Sequence, residues 1–283
     1  MKRIAAAIFF LAGILSNAAA QRVGITYWNV DRLYDTIPSP FYHDDDFTPE
    51  GRYGWTAERY RRKVATVAAV VDSLAMPVTV LYGVENEAVV RDIAGACTRD
   101  YTYLHRTLNS LNGLDFAVLY YGDVLIPERV GIYRRNVALH CRIAGRRTVL
   151  LLSRDEDDAA RLAAEIRAEA PDAALIVMGR LDAVKMSRFG VADTFAAEER
   201  AGRGESVRSG VWRFGERICT DTLLSAEAGV YARRELFDSE GKAPLPTLSG
   251  RRYTGGAGSH LPMFVTVEWR GPAAADSALR YEK

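Results

Sequence analysis

The sequence predicts an α/β protein, because two hydrophobic periodicities alternate along it. Apolar runs rich in β-branched and aromatic residues, such as VTVLYGV at 78–84 and LDFAVLYY at 114–121, are typical of buried strands. Between such runs, apolar residues recur every three or four positions, as in amphipathic helices. Connections are short and no change in composition divides the chain, so one layered domain of strands and helices is the simplest organisation.

Three local signals set element boundaries. Thr56 precedes apolar residues at helical spacing and is predicted to cap a helix. Ser153 and Glu156 form an S-x-x-E capping box in front of another helix. The runs NVALHCRI and RRTVLLL are predicted to form a hairpin that turns at 144–145. By contrast, the polar, glycine-containing segment 196–210 is predicted to be a mobile loop.

The two ends of the chain differ from the middle. Lys2 and Arg3 precede an apolar stretch that closes with three alanines, so residues 1–20 are predicted to be a cleaved signal peptide. This predicts a mature domain at 21–270 in the periplasm or outside the cell. An uncleaved N-terminal anchor is the alternative, and no later stretch is expected to span a membrane. Residues 271–283 are predicted to be a disordered tail.

The charge balance carries no strong signature of nucleic-acid binding. The chain has 37 Lys and Arg against 36 Asp and Glu, and removing Lys2 and Arg3 leaves 35 against 36, a net charge of −1. Proteins that hold nucleic acid through phosphate contacts carry a clear basic excess. A local basic patch is still compatible with these totals.

The cysteines do not indicate a disulfide framework or a metal site. An odd count of 3 in an exported chain leaves at least one thiol free. Cys97, Cys141 and Cys219 lie in helical or strand-like runs, so we expect all three to be buried and unpaired. No Cys/His spacing indicates zinc.

Several segments, taken in order, resemble the endonuclease/exonuclease/phosphatase family, and most closely its exported bacterial members. YWNVDRLYD resembles the opening strand with its asparagine, LYGVENEAVV the second strand and GLDFAVLYY the third. VMGRLD stands where the family has a Gly-Asp-x-Asn turn, TDTLLS matches its orienting-aspartate strand, and GSHLPMFV its terminal Ser-Asp-His-Leu-Pro segment. The resemblance implies a four-layer α/β sandwich, in which two packed mixed or antiparallel sheets are flanked by helices.

The resemblance also implies hydrolysis of a phosphate ester by water activated at a carboxylate-bound magnesium ion. In the family a histidine paired to an aspartate assists at the phosphate, and asparagines orient the nucleophile and the phosphate. Carried over to this sequence, the histidine is His260, its aspartate is Asp221 and the opening-strand asparagine is Asn29. Asp182 stands at the asparagine of the Gly-Asp-x-Asn turn. These four residues are the predicted catalytic remnant.

The expected metal-binding acids are missing at three positions. Gly83, Arg180 and Ser259 stand where the family has carboxylates, and the chain at 153–154 leads straight into a helix where a phosphate-contacting loop is expected. A guanidinium beside the site would repel each charge of a cation by about 4 kcal/mol at an effective dielectric of 20. Glu85 is the one candidate substitute ligand, since period 2 in a strand puts it on the face of Gly83.

Two functions remain open. The preferred one is a catalytically degenerate, exported pseudoenzyme that binds a phosphorylated small molecule or a polyanion without a cofactor, with Arg180 gripping the anion. The alternative is a working phosphoesterase or nuclease with an altered site, which would use magnesium. A local salt bridge with Asp182 or Glu85 is the other role open to Arg180.

Overall fold

The computed structural model describes residues 21–108 and 110–270, so the predicted signal peptide and tail lie outside the described residues. The strands are β1 (Val23–Leu33), β2 (Val78–Val84), β3 (Thr102–Arg106), β4 (Asp115–Tyr120), β5 (Leu125–Tyr133), β6 (Asn136–Ile143), β7 (Arg146–Ser153), β8 (Ala174–Gly179), β9 (Val191–Asp193), β10 (Ser206–Arg208), β11 (Val211–Arg213), β12 (Arg217–Asp221), β13 (Leu224–Val230), β14 (Leu248–Ser249), β15 (Arg252–Tyr253) and β16 (Met263–Trp269). The helices are α1 (Ala57–Leu74), α2 (Glu87–Ala96), α3 (Glu156–Glu169), α4 (Ala183–Ser187) and α5 (Ala196–Arg200).

Two mixed six-stranded sheets form the body of the domain. The first has the strand order β13-β16-β1-β2-β4-β3, and the second has the order β5-β6-β7-β8-β12-β9. Each sheet contains one parallel pair, β1–β2 in the first and β7–β8 in the second. Helices α1 and α3 make the crossovers that a parallel pair requires. Helices α1 and α2 contact the first sheet, and α3 and α4 contact the second.

Alternate residues along the strands of the second sheet face either the first sheet or the outer helices. Leu150 and Ile176 belong to the core shared with the first sheet, whereas Leu151 and Val177 pack with the apolar face of α3. This alternation follows from the period of 2 in a strand. The sheets therefore face each other and have helices outside, which confirms the predicted four-layer α/β sandwich.

Two of the predicted boundary signals hold and one is wrong. The Thr56 side chain accepts from the Arg59 backbone N–H at 3.4 Å, at the start of α1, and β6 and β7 pair as the predicted hairpin. The cap of α3, however, is not Ser153, which ends β7. Asp155 caps this helix, because its Oδ1 accepts from the backbone N–H groups at 157 and 158 at 3.2 and 3.1 Å.

The segment 196–210 contains regular secondary structure, contrary to the prediction of a loop. It forms α5 and then enters the β10–β11 hairpin, whose pairs run from Ser206 with Arg213 to Arg208 with Val211. The alternation that marks a strand is short here, and the buried residue that precedes the hairpin is a glutamate. No hydrophobic pattern in the sequence therefore marks this element.

The three cysteines are unpaired, as predicted. Cys141 and Cys219 are buried, whereas Cys97 is half buried. Burial raises the pKa of each thiol, which keeps the thiols protonated near neutral pH. Among the residues that the structure describes, no helix is long and apolar enough to cross a membrane.

Candidate functional site

The candidate site lies at the edge where the parallel pairs of both sheets end. Asn29 near the end of β1 donates from Nδ2 to Oε1 of Glu216 at 2.9 Å. Glu216 directly precedes β12, whose first residue Arg217 pairs with Gly179 at the end of β8. One buried hydrogen bond therefore joins the two sheets at this edge. Ligand sites in layered α/β folds gather at such carboxyl ends of strands.

Gly83 is packed too closely to be replaced by any larger residue. Its φ is +92°, and a Cβ added here would lie 2.1 Å from the backbone oxygen of Asp31. Asp31 itself has a φ of +60° and donates from its backbone N–H to Oδ1 of Asn29 at 2.9 Å. The position where the family has a metal-binding glutamate is thus filled by the backbone that follows Asn29.

Asp31 is a carboxylate of the site that the sequence did not reveal. Its Oδ2 accepts from the backbone N–H of Ser259 at 2.7 Å, and its Oδ1 accepts from the Ser259 hydroxyl at 2.6 Å. Ser259 therefore anchors its segment to the end of β1. This contact brings Asn29, Gly83 and Ser259 together, as the sequence predicted.

The acid that pairs with His260 is Glu205. The Nδ1 of His260 lies 2.9 Å from Oε2 of Glu205, which is 1% exposed. The other oxygen of Glu205 accepts from the backbone N–H groups of Gly215 and Glu216 at 2.7 and 3.2 Å. The Nε2 of His260 lies 3.9 Å from Oδ1 of Asp31, too far for a hydrogen bond.

The predicted pairing of Asp221 with His260 is wrong. Asp221 ends β12 and accepts from Arg167 Nη1 at 2.8 Å and from the Leu175 backbone N–H at 2.7 Å. Leu175 lies at the start of β8, so Asp221 is at the opposite end of the second sheet. Antiparallel pairing of β12 with β8 places Glu216 at the site and Asp221 away from it.

The environment of His260 favours the imidazolium. Burial alone would lower the pKa of this imidazole, but the hydrogen bond and charge of Glu205, with the charges of Glu216 and Asp31, raise the pKa to about 9 from an ordinary 6.5. Because the pKa is raised on folding, the pair stabilises the fold fully below about pH 6.5, and this contribution is lost as the pH rises through about 9.

This pKa is measurable by NMR titration of the histidine rings. We expect His260 to titrate near pH 9, whereas burial and the nearby Arg129 charge keep the pKa of His140 below 6.5. Glu205→Gln should lower the His260 pKa by removing the paired charge, and Glu199→Gln, in an exposed pair, should leave it unchanged. A His260 pKa at or below 6.5 in the unaltered protein would contradict this electrostatic account.

Arg154 contributes the second cation of the site, and the sequence did not identify it as a site residue. It follows the last residue of β7 and donates from Nη1 to the same Oε1 of Glu216 that Asn29 binds. Its guanidinium carbon lies 3.8 Å from the ring centroid of Tyr82, a cation–π contact. The charge of Glu216 outweighs burial and raises the pKa of Arg154, so this side chain is a permanent cation.

Arg180 and Asp182 lie on the same edge but have local roles. The chain turns at Gly179, with a φ of +118°, and Arg180 beyond it donates from Nε to Oε1 of Glu156 at 3.1 Å. Its side chain is 60% exposed, and its partner is neither of the two predicted ones. Asp182 caps α4 by accepting from the N–H groups at 184 and 185, and these hydrogen bonds lower its pKa.

Glu85 is occupied by the loop that follows β1. Its Oε2 accepts from the backbone N–H of Asp35 at 2.7 Å. Burial, with the charges of Asp35 and Asp44, raises the pKa of Glu85 to about 8. Its described contacts are with this loop and not with Asn29 or His260. A carboxyl group that holds its proton near neutral pH is a poor ligand for a hard cation.

A buried lysine positions the segment that precedes Ser259. The Nζ of Lys63, on α1, donates to the backbone oxygen of Ala257 at 2.7 Å and to the hydroxyl of Thr247. Burial lowers the pKa of Lys63 to about 8, although the charge of Asp31 opposes this shift. Lys63 thus holds the chain at the point where it enters the site.

The residues at this edge do not fit the magnesium site that the family implies. Gly83 is closed by backbone, Ser259 offers a hydroxyl already bound to Asp31, and Arg180 is turned toward α3. Arg154 brings a positive charge to the carboxylate that would otherwise attract a cation. In the described part of the chain, no group of three or more His, Cys, Asp or Glu side chains is arranged to hold a metal ion.

Comparisons with solved structures show the same fold. Humanized D. rerio TDP2 with 14 mutations is 13% identical, with a TM-score of 0.55 over 87% of this chain and 99% of that one. An endonuclease/exonuclease/phosphatase family protein from Bacteroides thetaiotaomicron is 12% identical, with a TM-score of 0.57 over 88% and 98%. The mannosyl-6-phosphatase of Bacteroides thetaiotaomicron VPI-5482 is 11% identical, with a TM-score of 0.56 over 87% and 100%.

The sequence gives the family directly. Residues 24–161 match the model of the endonuclease/exonuclease/phosphatase family. No curated protein matches the sequence. Residues 24–161 therefore belong to the endonuclease/exonuclease/phosphatase family, as the motifs predicted, and the solved structures share the fold of the domain.

Proposed function

We propose that this chain is an exported, catalytically degenerate member of the family, and that it binds a phosphorylated or otherwise anionic ligand. The observation that carries the proposal is that two internal cations lie at the edge where the expected metal-binding carboxylates are missing. Arg154 is paired with Glu216, and His260 is paired with Glu205. These two cations, and not Arg180, would attract the anion.

The loss of hydrolysis follows from the missing carboxylates. A bound metal ion supplies charge neutralisation and a nucleophile near neutral pH. Removing one electrostatic stabiliser of a transition state typically costs roughly a hundred- to a thousandfold in rate. Gly83 and Ser259 each remove a ligand, and the backbone at Asp31 prevents a simple reversal at the first position. The combined losses would bring metal-dependent turnover close to background.

The preference for an anion rests on the donor that His260 presents. Its Nδ1 is held by Glu205, and its side chain is 23% exposed. Its Nε2 lies 3.9 Å from Oδ1 of Asp31, which is beyond hydrogen-bonding distance. An imidazolium with one nitrogen fixed directs the other as a charged donor, and charge-assisted hydrogen bonds are the strong ones for phosphate oxygens. Export rests on the sequence of residues 1–20.

Two assays on the purified protein test the proposal together. We expect no magnesium-dependent hydrolysis of plasmid DNA, bis-p-nitrophenyl phosphate or inositol phosphates. We expect calorimetric binding of an inositol phosphate near neutral pH that weakens as the pH passes about 9, where His260 loses its proton. His260→Gln should weaken that binding, and Arg180→Gln should not. Magnesium-dependent turnover that is abolished by His260→Ala would overturn the proposal.

A second candidate function is favoured by one contact. In the Glu205–His260 pair, at 2.9 Å, the carboxylate orients a histidine whose Nε2 could donate a proton to the leaving oxygen as water attacks the phosphorus and the ester P–O bond breaks. This would be a phosphoesterase that works without a metal. Turnover of p-nitrophenyl phosphate in the presence of EDTA, lost in both Glu205→Gln and His260→Gln, would favour this candidate over the binding module.

A further inference from the structure

A small cavity lies at the end of the sheets opposite the candidate site. Ala174 at the start of β8 lines this cavity, whereas Gly179 at the other end of β8 lies at the candidate site. Leu223, in the β12–β13 turn, and Trp269, at the end of β16, form its apolar wall. Its volume is about 140 Å³. Because sites for drug-sized ligands measure about 300–1,000 Å³, a cavity of this size holds only a small chemical group.

Four arginines surround the cavity. Arg142, Arg146 and Arg147 come from the β6–β7 hairpin, and Arg270 follows the last residue of β16. Among the described residues that line the cavity, Asp172 in the α3–β8 connection is the one acid. A cleft lined mainly by charges of one sign attracts and concentrates ions of the opposite sign. The lining therefore favours an anion.

The ion pairs around the cavity leave donors available. Arg147 donates from Nη1 to Oδ2 of Asp172 at 2.5 Å, and Arg142 donates from Nε to Oε1 of Glu128 at 2.9 Å. The four side chains of these pairs are 37–59% exposed, so solvent screens both interactions. A guanidinium has five N–H donors, and each pair uses only some of them. Arg270 makes no ion pair with any other described residue.

We propose that this cavity binds one phosphate or sulfate group, either as the free ion or as a monoester carried by a small molecule. Guanidinium groups bind such tetrahedral oxyanions through two parallel, charge-assisted hydrogen bonds. Arg147 belongs to β7 of the second sheet and Arg270 follows β16 of the first, so the bound anion would join the two sheets. The proposal does not depend on His260 and concerns a site separate from that of the proposed function.

An NMR titration with sodium phosphate near neutral pH tests the proposal on the full chain. The titration uses the His260→Gln variant, so that the candidate site does not contribute, and NaCl at equal ionic strength is the blank. We expect saturable shifts of the backbone amides of Gly145, Leu223 and Arg270, with a dissociation constant on the order of 1 mM, as a few charge-assisted hydrogen bonds would give. Glycerol 3-phosphate replaces the phosphate in a second arm. Tighter binding of this monoester would identify a phosphorylated small molecule as the ligand, and weaker binding would identify the free ion.

Four substitutions in this background locate the binding. Arg270→Gln and Arg147→Gln should each raise the dissociation constant about fivefold or more, because each removes one charged donor. Asp172→Asn should lower it by about threefold, since the competing carboxylate is gone. Arg251→Gln is the matched control: Arg251 is exposed in the β14–β15 turn, does not line the cavity, and its substitution should leave the constant unchanged.

The outcomes decide between a built site and general attraction of ions. Saturable shifts that weaken in Arg270→Gln and persist in Arg251→Gln support the proposal. Shifts that the NaCl blank reproduces would overturn it, as would saturable binding that neither Arg147→Gln nor Arg270→Gln weakens. Loss of inositol phosphate binding in His260→Gln concerns the proposed function alone, because phosphate binding at the cavity is measured in that same variant.

Discussion

Gly83→Ala is expected to destabilise the protein by about 3 kcal/mol or more. Overpacking of a close-packed site costs about 1–3 kcal/mol, and a left-handed backbone adds about 1–2 kcal/mol for a residue with a Cβ. Both terms apply, because the added Cβ would lie 2.1 Å from the backbone oxygen of Asp31 and the φ of Gly83 is +92°. Urea unfolding of the variant and the unaltered protein measures the difference.

Gly145→Ala is the matched control for this prediction. Gly145 has a φ of +75° in the β6–β7 turn, but an added Cβ there meets nothing within 4 Å. It should therefore show only the cost of the left-handed backbone, about 1–2 kcal/mol. Equal losses in the two variants would mean that Asp31 does not close the position. The same contact predicts that Gly83→Glu cannot by itself restore a metal ligand.

Glu205→Ala is expected to cost about 3–5 kcal/mol, the range for removing one partner of a buried ion pair. The substitution leaves the imidazolium of His260 without its carboxylate, and it leaves the backbone N–H groups of Gly215 and Glu216 without their acceptor. The loss should be largest at mildly acidic pH, where His260 is charged in the folded protein. Denaturant unfolding at several pH values measures it.

Glu198→Ala provides the control within the same segment. Glu198 pairs with Arg203 on the surface of α5, where solvent screens the interaction. We expect a small fraction of the loss seen for Glu205→Ala and no dependence on the charge of His260. Similar losses of stability in the two variants would mean that the buried contacts of Glu205 with His260 and with two backbone N–H groups do not stabilise the fold.

The fold was predictable because its strands are strongly apolar and occur in the family order. The runs at β1, β2, β4 and β8 each carry enough buried apolar residues to be recognised alone. The opposite holds for the β10–β11 hairpin, where Val207 and Val211 stand among charged residues. Glu205 is buried beside this hairpin for an electrostatic reason, and no hydrophobic pattern marks a glutamate that is held by His260 and two backbone N–H groups.

The sequence predicts part of the site, but it points to Arg180 where the structure shows Arg154. The sequence motifs name Arg180 alone as the basic residue of the site, although two arginines follow strand ends at this edge. Arg180 follows Gly179, whose positive φ turns the chain toward α3, whereas Arg154 follows β7 directly and points between the sheets. A motif match alone points to Asp221, and the antiparallel register of β12 places this residue at the far end of its strand.

The most direct test of the central claim is a calorimetric titration of the unaltered protein with MnCl2 near neutral pH. Arg154 already supplies a positive charge at the site, Gly83 and Ser259 carry no carboxylate, and Glu85 is held by the loop that follows β1. We therefore expect no saturable binding at micromolar manganese. Saturable micromolar binding that is lost on Glu85→Gln or on Glu216→Gln would contradict the account, because it would show a working metal site at the edge of the two sheets.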